Sequence, residues 1–595
     1  MPWTTENPRR RRPSPAPRQV KLPPRPAVGR GEGVGGWEKP PTPTTTAPPT
    51  APTPRDTTYV HVGCDGFTYT LPAWASTIRP HQSEAVRDIL DAYRDGAKVV
   101  FLDAPTGAGK TLIGELVRQQ LNAKGVYVCS GLELQSQMAA DFPRAAVIRG
   151  RSNYPVLNPG KRRRVSAADC QGVPCQFCEP ISRCPYRVAS EAATAADLAV
   201  LNTTYLLYKW NKAYPYRERP KPQLVVLDEC DMLEGELLSF MELRLRYADL
   251  AALGIDPPSP RKHYTTLATW LRTEYLQATA KAISAIRVPD PLDPEDEWDS
   301  PEDATTFKKI SRSIDMVRRT MNEIADGNWV RDDDRDAFVM KPITVDGYAR
   351  GLVWNHAPRW LAMSATVISA EQMAADLGLE DGEWASVKVP MTFPVENRLI
   401  RVVGNADMSN KMDANDEAKL LDTLDLIRSH HADERMLVHA HSYKLTRLIV
   451  DGLRARGHRD VLTYDSAAGR TGAIGDYLAT PGALIVAPSL DRGIDFPGDD
   501  CRVQVVAKVP YPYLGDKQVN ARMRAEGGQT WYSVQTVRTL VQMTGRAVRS
   551  KDDHATTYIL DANFGRIFRM NRTLFPEWWR DAVDRTFNLR QLGER

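Results

Sequence analysis

The run Ala104-Pro105-Thr106-Gly107-Ala108-Gly109-Lys110-Thr111 has the residue types that hold the phosphates of a nucleotide. Its glycines let backbone N–H groups turn inward around phosphate oxygens, and a helix opening at the end of the run adds favourable dipole potential. Lys110 would neutralise the β- and γ-phosphates, and Thr111 would ligate Mg²⁺. The first position is Ala where the common pattern has Gly, but the context is complete: the strand-like Val99–Leu102 precedes the loop and a helix from about Thr111 to Leu121 follows. A second apolar run, Leu224-Val225-Val226-Leu227, delivers Asp228-Glu229-Cys230-Asp231 at its carboxyl end, where ligands of parallel sheets sit. Asp228 would hold Mg²⁺ through water, and Glu229 would orient the attacking water and take its proton.

Four of the eight cysteines fall within fifteen residues, as Cys170-x4-Cys175-x2-Cys178-x5-Cys184. In a reducing compartment such a cluster reads as a metal site, and four thiolates suit either zinc or an iron–sulfur cluster; spacing alone leaves both open. Cys129 and Cys230 read as structural. Just upstream, Lys161-Arg162-Arg163-Arg164 is a compact basic run that would grip phosphates or simply face solvent. Tyr186, Tyr205 and Trp210 offer rings for unpaired bases, with core packing as the plainer reading.

The elements that must position these groups are strands alternating with helices. Val99–Leu102, Val126–Val128 and Leu224–Leu227 belong to one series; Met436–Val438, Ala483–Val486 and Val503–Val506 belong to a second. Each series implies a parallel sheet covered on both faces. Residues about 240–345 read as helical, with amphipathic stretches Leu237–Leu250 and Tyr264–Ile286 interrupted by the acidic loop Asp290–Asp303.

Length and charge bound the rest. The 595 residues leave room for about four domains. Residues 1–56 hold fifteen of the 44 prolines and ten basic against four acidic side chains, a net +6 that leaves about −2 for the body. That segment is expected to be a disordered, partly polyproline-II tail, and overall charge makes no case for nucleic acid binding by the body. No apolar run approaches the ~18 residues that span a bilayer, and the opening residues lack a secretory signal, so a cytoplasmic protein is expected.

Taken in order, the motifs resemble those of superfamily 2 helicases, and more narrowly the DinG/XPD family, over most of residues 75–595. Arg79-Pro80-His81-Gln82 is similar to the family's upstream segment, in which Gln82 would read adenine. Ser364-Ala365-Thr366 resembles its coupling motif, and Val438-His439-Ala440-His441-Ser442 the strand opening the second motor domain. Ser489-Leu490-Asp491-Arg492-Gly493-Ile494-Asp495 resembles the next motif, with Gly493 and Asp495 as nucleotide contacts. Gln542-Met543-Thr544-Gly545-Arg546-Ala547-Val548-Arg549 resembles the last. Arg546 and Arg549 would be the cations that meet charge building on the γ-phosphate, and three residues apart on a helix they would share a face toward the cleft.

Gly150-Arg151-Ser152-Asn153-Tyr154 before the cysteines, and Cys184-Pro185-Tyr186 with Leu201–Leu207 after them, are also similar to DinG-like helicases, which implies a 4Fe-4S cluster, with zinc the lesser alternative. Pro155 and Val156 stand where many relatives carry the first ligand, so Cys170 replaces it.

The resemblance thus implies an α/β fold of two RecA-like motor domains. The expected first motor domain takes 57–240 plus 346–395, an inserted iron–sulfur lobe 146–199, a helical arch 241–345, and the second motor domain 396–595. It implies ATP and Mg²⁺ as cofactors, single-stranded and forked DNA as partner, and 5′-to-3′ movement of a monomeric motor in a bacterial or phage-infected cytoplasm. An RNA helicase or protein-stripping translocase uses the same motor motifs, and a zinc-containing nucleic-acid-binding scaffold with a degenerate ATP site is the alternative of another class.

Overall fold

The computed structural model describes residues 59–63, 66–157, 166–170, 183–211, 221–259, 264–288, 298–325, 327–409, 411–488, 490 and 496–593. The expected tail, the basic run Lys161–Arg164, and Cys175 and Cys178 lie outside them.

Val99, Val100, Phe101 and Leu102 are all fully buried, as a strand covered on both faces must be. They belong to the strand Val99–Asp103, in a seven-stranded sheet. Its order is Trp384–Lys388, Val99–Asp103, Trp360–Ser364, Leu224–Asp228, Gly125–Cys129, Leu198–Asn202, Ala146–Val147, and every pairing is parallel. Helix Lys110–Gln120 lays Leu112, Ile113, Leu116 and Val117 on this sheet at helical spacing.

A second seven-stranded parallel sheet follows in the order Val461–Leu462, Leu484–Ala487, Met436–His439, Val503–Val506, Thr556–Asp561, Ile400–Ala406, Val583–Asp584. Ser442 caps the helix Tyr443–Ala455 that leaves its central strand, its side chain accepting from the N–H of Leu445. Two doubly covered parallel sheets are the fold that the sequence pattern implies.

The segment between the two seven-stranded sheets differs from the expected all-helical arch. Leu237–Leu250 is not one helix. It divides into helix Leu233–Met241, strand Leu243–Arg246 and helix Tyr247–Ala252. The reason is local: Leu243 and Leu245 are buried while Arg244 and Arg246 are exposed, a period of two that fits a pleat. The strand pairs antiparallel with Ala337–Pro342, which also pairs with Trp329–Arg331. The other expected stretch is helical, running from Tyr264 through a π-type turn at Leu271–Tyr275 to Ser284. A helix Pro301–Ala325 completes the layer over this small sheet.

The expected stacking rings Tyr186 and Tyr205 sit in the first lobe's core. Trp210 packs edge-on against His356. Cys129 and Cys230 are buried, and the Cys230 thiol lies 3.8 Å from Met373 Sδ.

Candidate nucleotide site at the seam between the lobes

The phosphate loop leaves strand Val99–Asp103 and enters helix Lys110–Gln120 through two residues in the left-handed region, Gly107 at φ 79° and Gly109 at φ 82°. A Cβ at Gly109 would stand 2.2 Å from Gln82 Nε2, so glycine is required there twice over. The upstream segment holds this loop from outside. Arg79 Nη1 donates to the Gly107 carbonyl at 2.8 Å, Gln82 Nε2 donates to the Ala108 carbonyl at 3.0 Å, and His81 Nε2 lies 3.3 Å from the same oxygen. Gln82 Oε1 accepts from the Arg79 N–H at 2.9 Å, so both ends of this buried amide are engaged within the protein. Lys110 Nζ donates back to the Ala104 carbonyl at 3.4 Å.

Asp228 ends its strand beside the loop. Its carboxyl is pushed above the ordinary carboxylate range by burial, while the Lys110 ammonium, the Glu229 N–H and the Tyr127 hydroxyl pull the other way. Tyr127, which sequence reading did not single out, hydrogen-bonds both Thr111 and Asp228, the latter at 3.2 Å. Thr111 and Asp228 therefore stand within reach of one tyrosine oxygen, an arrangement that fits a shared Mg²⁺. Glu229 follows at φ 50°, uncommon for a residue with a side chain.

The second lobe supplies the opposite wall. Lys110, Glu229 and Thr366 line a cavity of about 940 Å³ together with Gln542, Arg546 and Arg549. Arg546 and Arg549 do not share a helical face, because helix Gly528–Thr544 ends before them. Gly545 turns the chain, its N–H donating to the Val541 and Gln542 carbonyls, and Arg546 and Arg549 reach the cavity from the segment beyond. Burial lowers the Arg549 guanidinium to about 10, with Glu229 and Asp553 acting the other way, which places Arg549 in the field of Glu229.

Gln542 is tied across the seam. Its Nε2 donates to Asp231 Oδ2 at 2.7 Å and to Thr366 Oγ1 at 2.8 Å, while Ser364 Oγ donates to Asp231 Oδ1 at 2.7 Å. Three further seam residues lie outside every short motif. Arg538 donates to the Thr366 and Val367 carbonyls at 3.2 and 3.4 Å. Trp531 Nε1 donates to both Glu234 oxygens at 3.1 and 3.2 Å. No local sequence signal marks these pairs, whose partners lie far apart in the chain. Gly493 and Asp495 lie outside the described residues.

Of the four cluster cysteines, Cys184 is buried at the N-cap of helix Pro185–Ala195, and Cys170 ends the short turn Ala167–Cys170. A bridge between Pro155 and Ser166 draws the start of this segment together. Among the described residues no three His, Cys, Asp or Glu side chains converge as a metal site.

Two parallel-sheet lobes, one of them carrying the phosphate loop, facing each other across a nucleotide-sized cleft define the class of a RecA-like motor. The family models agree with that reading: the helicase C-terminal domain matches residues 425–582 and the type III restriction enzyme res subunit matches residues 75–231. The E. coli K12 ATP-dependent DNA helicase YoaA is 26% identical over 236 residues, which is 38% of this chain and 36% of that protein. The C. elegans regulator of telomere elongation helicase 1 homolog is 25% identical over 111 residues, 16% of this chain and 11% of its own. The chain thus matches well under two thirds of these relatives' lengths. Among solved structures, an XPD helicase superposes with a TM-score of 0.57 at 17% identity, covering 84% of this chain and 99% of that one. S. tokodaii Xpd4 does so at 0.51 and 14%, covering 84% and 98%. The chain is thus similar to superfamily 2 helicases of the DinG/XPD type in the sequence of both lobes, and to XPD helicases in fold.

Proposed function

We propose that this protein is an ATP-dependent DNA helicase that hydrolyses ATP at the seam between its two motor lobes and moves 5′ to 3′ along single-stranded DNA. The observation that carries the reading is the shared cavity, with Lys110 and Glu229 on one wall and Gln542, Arg546 and Arg549 on the other.

In this reading the loop Ala104–Thr111 cradles the phosphates, and Lys110 neutralises the β- and γ-oxygens. Thr111 and Asp228 would hold Mg²⁺, which supplies further neutralisation of the triphosphate. Glu229 orients the attacking water and takes its proton as the new P–O bond forms and the bond to the β-phosphate oxygen breaks. Arg546 and Arg549 meet the charge that builds on the γ-oxygens, each presenting a planar fork suited to two of them. Because one wall belongs to each lobe, cleavage loosens the seam, and opening and closing become steps along a strand. Gln542, held by Asp231 and Thr366, carries the state of the acidic motif to the second lobe.

Cys170, Cys175, Cys178 and Cys184 would hold a 4Fe-4S cluster, whose four-thiolate donor set they match and which would pin the inserted lobe against which strands part. No helix among the described residues is long and apolar enough to cross a membrane. A forked-DNA partner, a monomeric motor and a cytoplasmic site of action complete the proposal.

The test is strand displacement on duplexes bearing a 5′ or a 3′ overhang, with iron measured on the same preparation. Unwinding that needs ATP and a 5′ overhang, by protein carrying about four irons per chain, is the expected result. ATP-dependent movement on RNA alone, or no turnover with DNA present, would overturn it.

A further inference from the structure

The linker between the lobes sets one aromatic ring against the phosphate loop. Chain leaving strand Trp384–Lys388 is held first by the first lobe, where the Val389 N–H donates to the Asp103 carbonyl at 2.9 Å, directly beside the start of the loop. Phe393 then points its ring at the loop. A Cβ added at Gly107 would fall 2.2 Å from Phe393 Cζ and 3.1 Å from both Cε1 and Cε2. The tip of the ring therefore bears on the loop backbone, and no side chain fits between them.

The same linker is fastened to the second lobe at the turn that carries Arg549. Asn397 Nδ2 donates to the Lys551 carbonyl at 2.8 Å, and the Asn397 carbonyl accepts from the Ala555 N–H at 2.9 Å. Within that turn the Arg549 N–H donates to Asp553 Oδ2 at 3.2 Å. Phe393 is itself buried, in an apolar cluster with Phe496, Ala547, Val548 and Ala555, of which Ala547 and Val548 directly precede Arg549. Arg398 holds the base of the ring, its Nε donating to the Phe393 carbonyl at 3.4 Å and its Nη1 to the Trp578 carbonyl. Phe393 and Arg549 thus stand on one packed piece of second-lobe structure, and both line the cavity that holds Lys110 and Glu229.

We propose that Phe393 is a positioning residue for γ-phosphate cleavage, a strut between Gly107 and the Arg549 turn that sets how far the guanidinium stands from phosphates held in the loop. The inference rests on the nucleotide reading given above and adds to it a residue whose side chain has no polar atom to offer the phosphates. Close-packed side chains compress little and pass displacement on to their neighbours, so a buried ring fixes a spacing between the lobes. A reacting group misplaced by about 1 Å loses on the order of 100-fold in rate. Ground-state binding rests on the loop and Lys110 and does not pass through the strut.

The test is a double-variant cycle in single-turnover ATP hydrolysis with single-stranded DNA present, with Mg·ADP affinity measured by calorimetry on each protein. Phe393→Ala is expected to slow cleavage on the order of 100-fold and to leave ADP affinity within about threefold of wild type. In an Arg549→Ala chain the same change should slow cleavage by no more than about threefold further, because the group it positions is gone. Phe393→Met, which keeps the length and apolar character of the side chain and guards against misfolding, should cleave within about tenfold of wild type. Cleavage by Phe393→Ala within about threefold of wild type, the full loss repeated in the Arg549→Ala chain, or ADP affinity falling as far as the rate in either Phe393 variant would overturn the strut. A wild-type chain that neither bound ADP nor hydrolysed ATP would end the nucleotide reading itself, a result distinct from active wild type that Phe393→Ala leaves untouched.

Discussion

Gln542 Nε2 on the second lobe stands 2.7 Å from Asp231 Oδ2 on the first, and the same nitrogen lies 2.8 Å from Thr366 Oγ1. One amide thus touches the acidic segment after the Leu224–Asp228 strand and the segment after the Trp360–Ser364 strand, both of which border the phosphate loop. A change at the phosphates has a short path of hydrogen bonds to the helix Gly528–Thr544.

Replacing Gln542 by Ala removes that path without touching the phosphate loop. A hydrogen bond to a charged group contributes about 1.5–3 kcal/mol, so kcat for ATP is expected to fall roughly 10- to 150-fold. ADP affinity by calorimetry should stay within about threefold of wild type. A matching loss of ADP affinity would place Gln542 in ground-state binding instead.

Gly109→Ala meets two penalties, a left-handed backbone and a Cβ 2.2 Å from Gln82 Nε2. Strain of this kind costs on the order of 1–3 kcal/mol. Urea unfolding should show a lowered midpoint by about that free energy, with ADP binding lost. An unchanged midpoint would mean that the loop turns differently.

Glu234 gives the seam a pH dependence. Burial and the neighbouring Asp376 carboxylate push its carboxyl up from 4.5 to about 7, against the Trp531 N–H and the Arg522 and Arg538 guanidiniums. Asp376 is itself held by Arg522. The folded state therefore binds the Glu234 proton more tightly than the unfolded chain does. The contribution is fully present below the unfolded value and is withdrawn as pH rises through about 7. Between pH 5 and 8 the wild type should lose roughly 1–3 kcal/mol relative to Glu234→Gln, which keeps an acceptor for Trp531 but does not titrate. Parallel stability curves for the two proteins would contradict this.

Cys175→Ser should lose iron and the broad absorbance near roughly 400 nm expected of a 4Fe-4S cluster. Unwinding should fall further than ATP turnover, because the proposed cluster would pin the strand-parting lobe and not the phosphate site. A colourless wild-type protein containing zinc would replace the cluster with a structural zinc site.

The phosphate loop was legible because strand, loop and helix are contiguous, and Asp228 and Glu229 because a buried run ends in acids. Leu243–Arg246 was misread as helix because its alternating leucines sit within leucines at helical spacing, and its partner Ala337–Pro342 lies far along the chain. The Arg546 and Arg549 spacing suggests a helix, yet the helix stops at Thr544, before either residue, and both side chains still reach the cavity. Glu234 with Trp531, and Phe393 over Gly107, carry no local pattern at all, since each contact exists only once the chain has folded. Tyr127 was hidden for another reason: on a fully buried strand a tyrosine looks like core until its hydroxyl is seen between Thr111 and Asp228.

The central claim, that the second lobe supplies the cation for γ-phosphate cleavage, is tested most directly by single-turnover ATP hydrolysis in Arg549→Ala with single-stranded DNA present. Cleavage slowed about 10³-fold or more, with ADP binding within threefold of wild type, is the predicted result. Cleavage at the wild-type rate would contradict it.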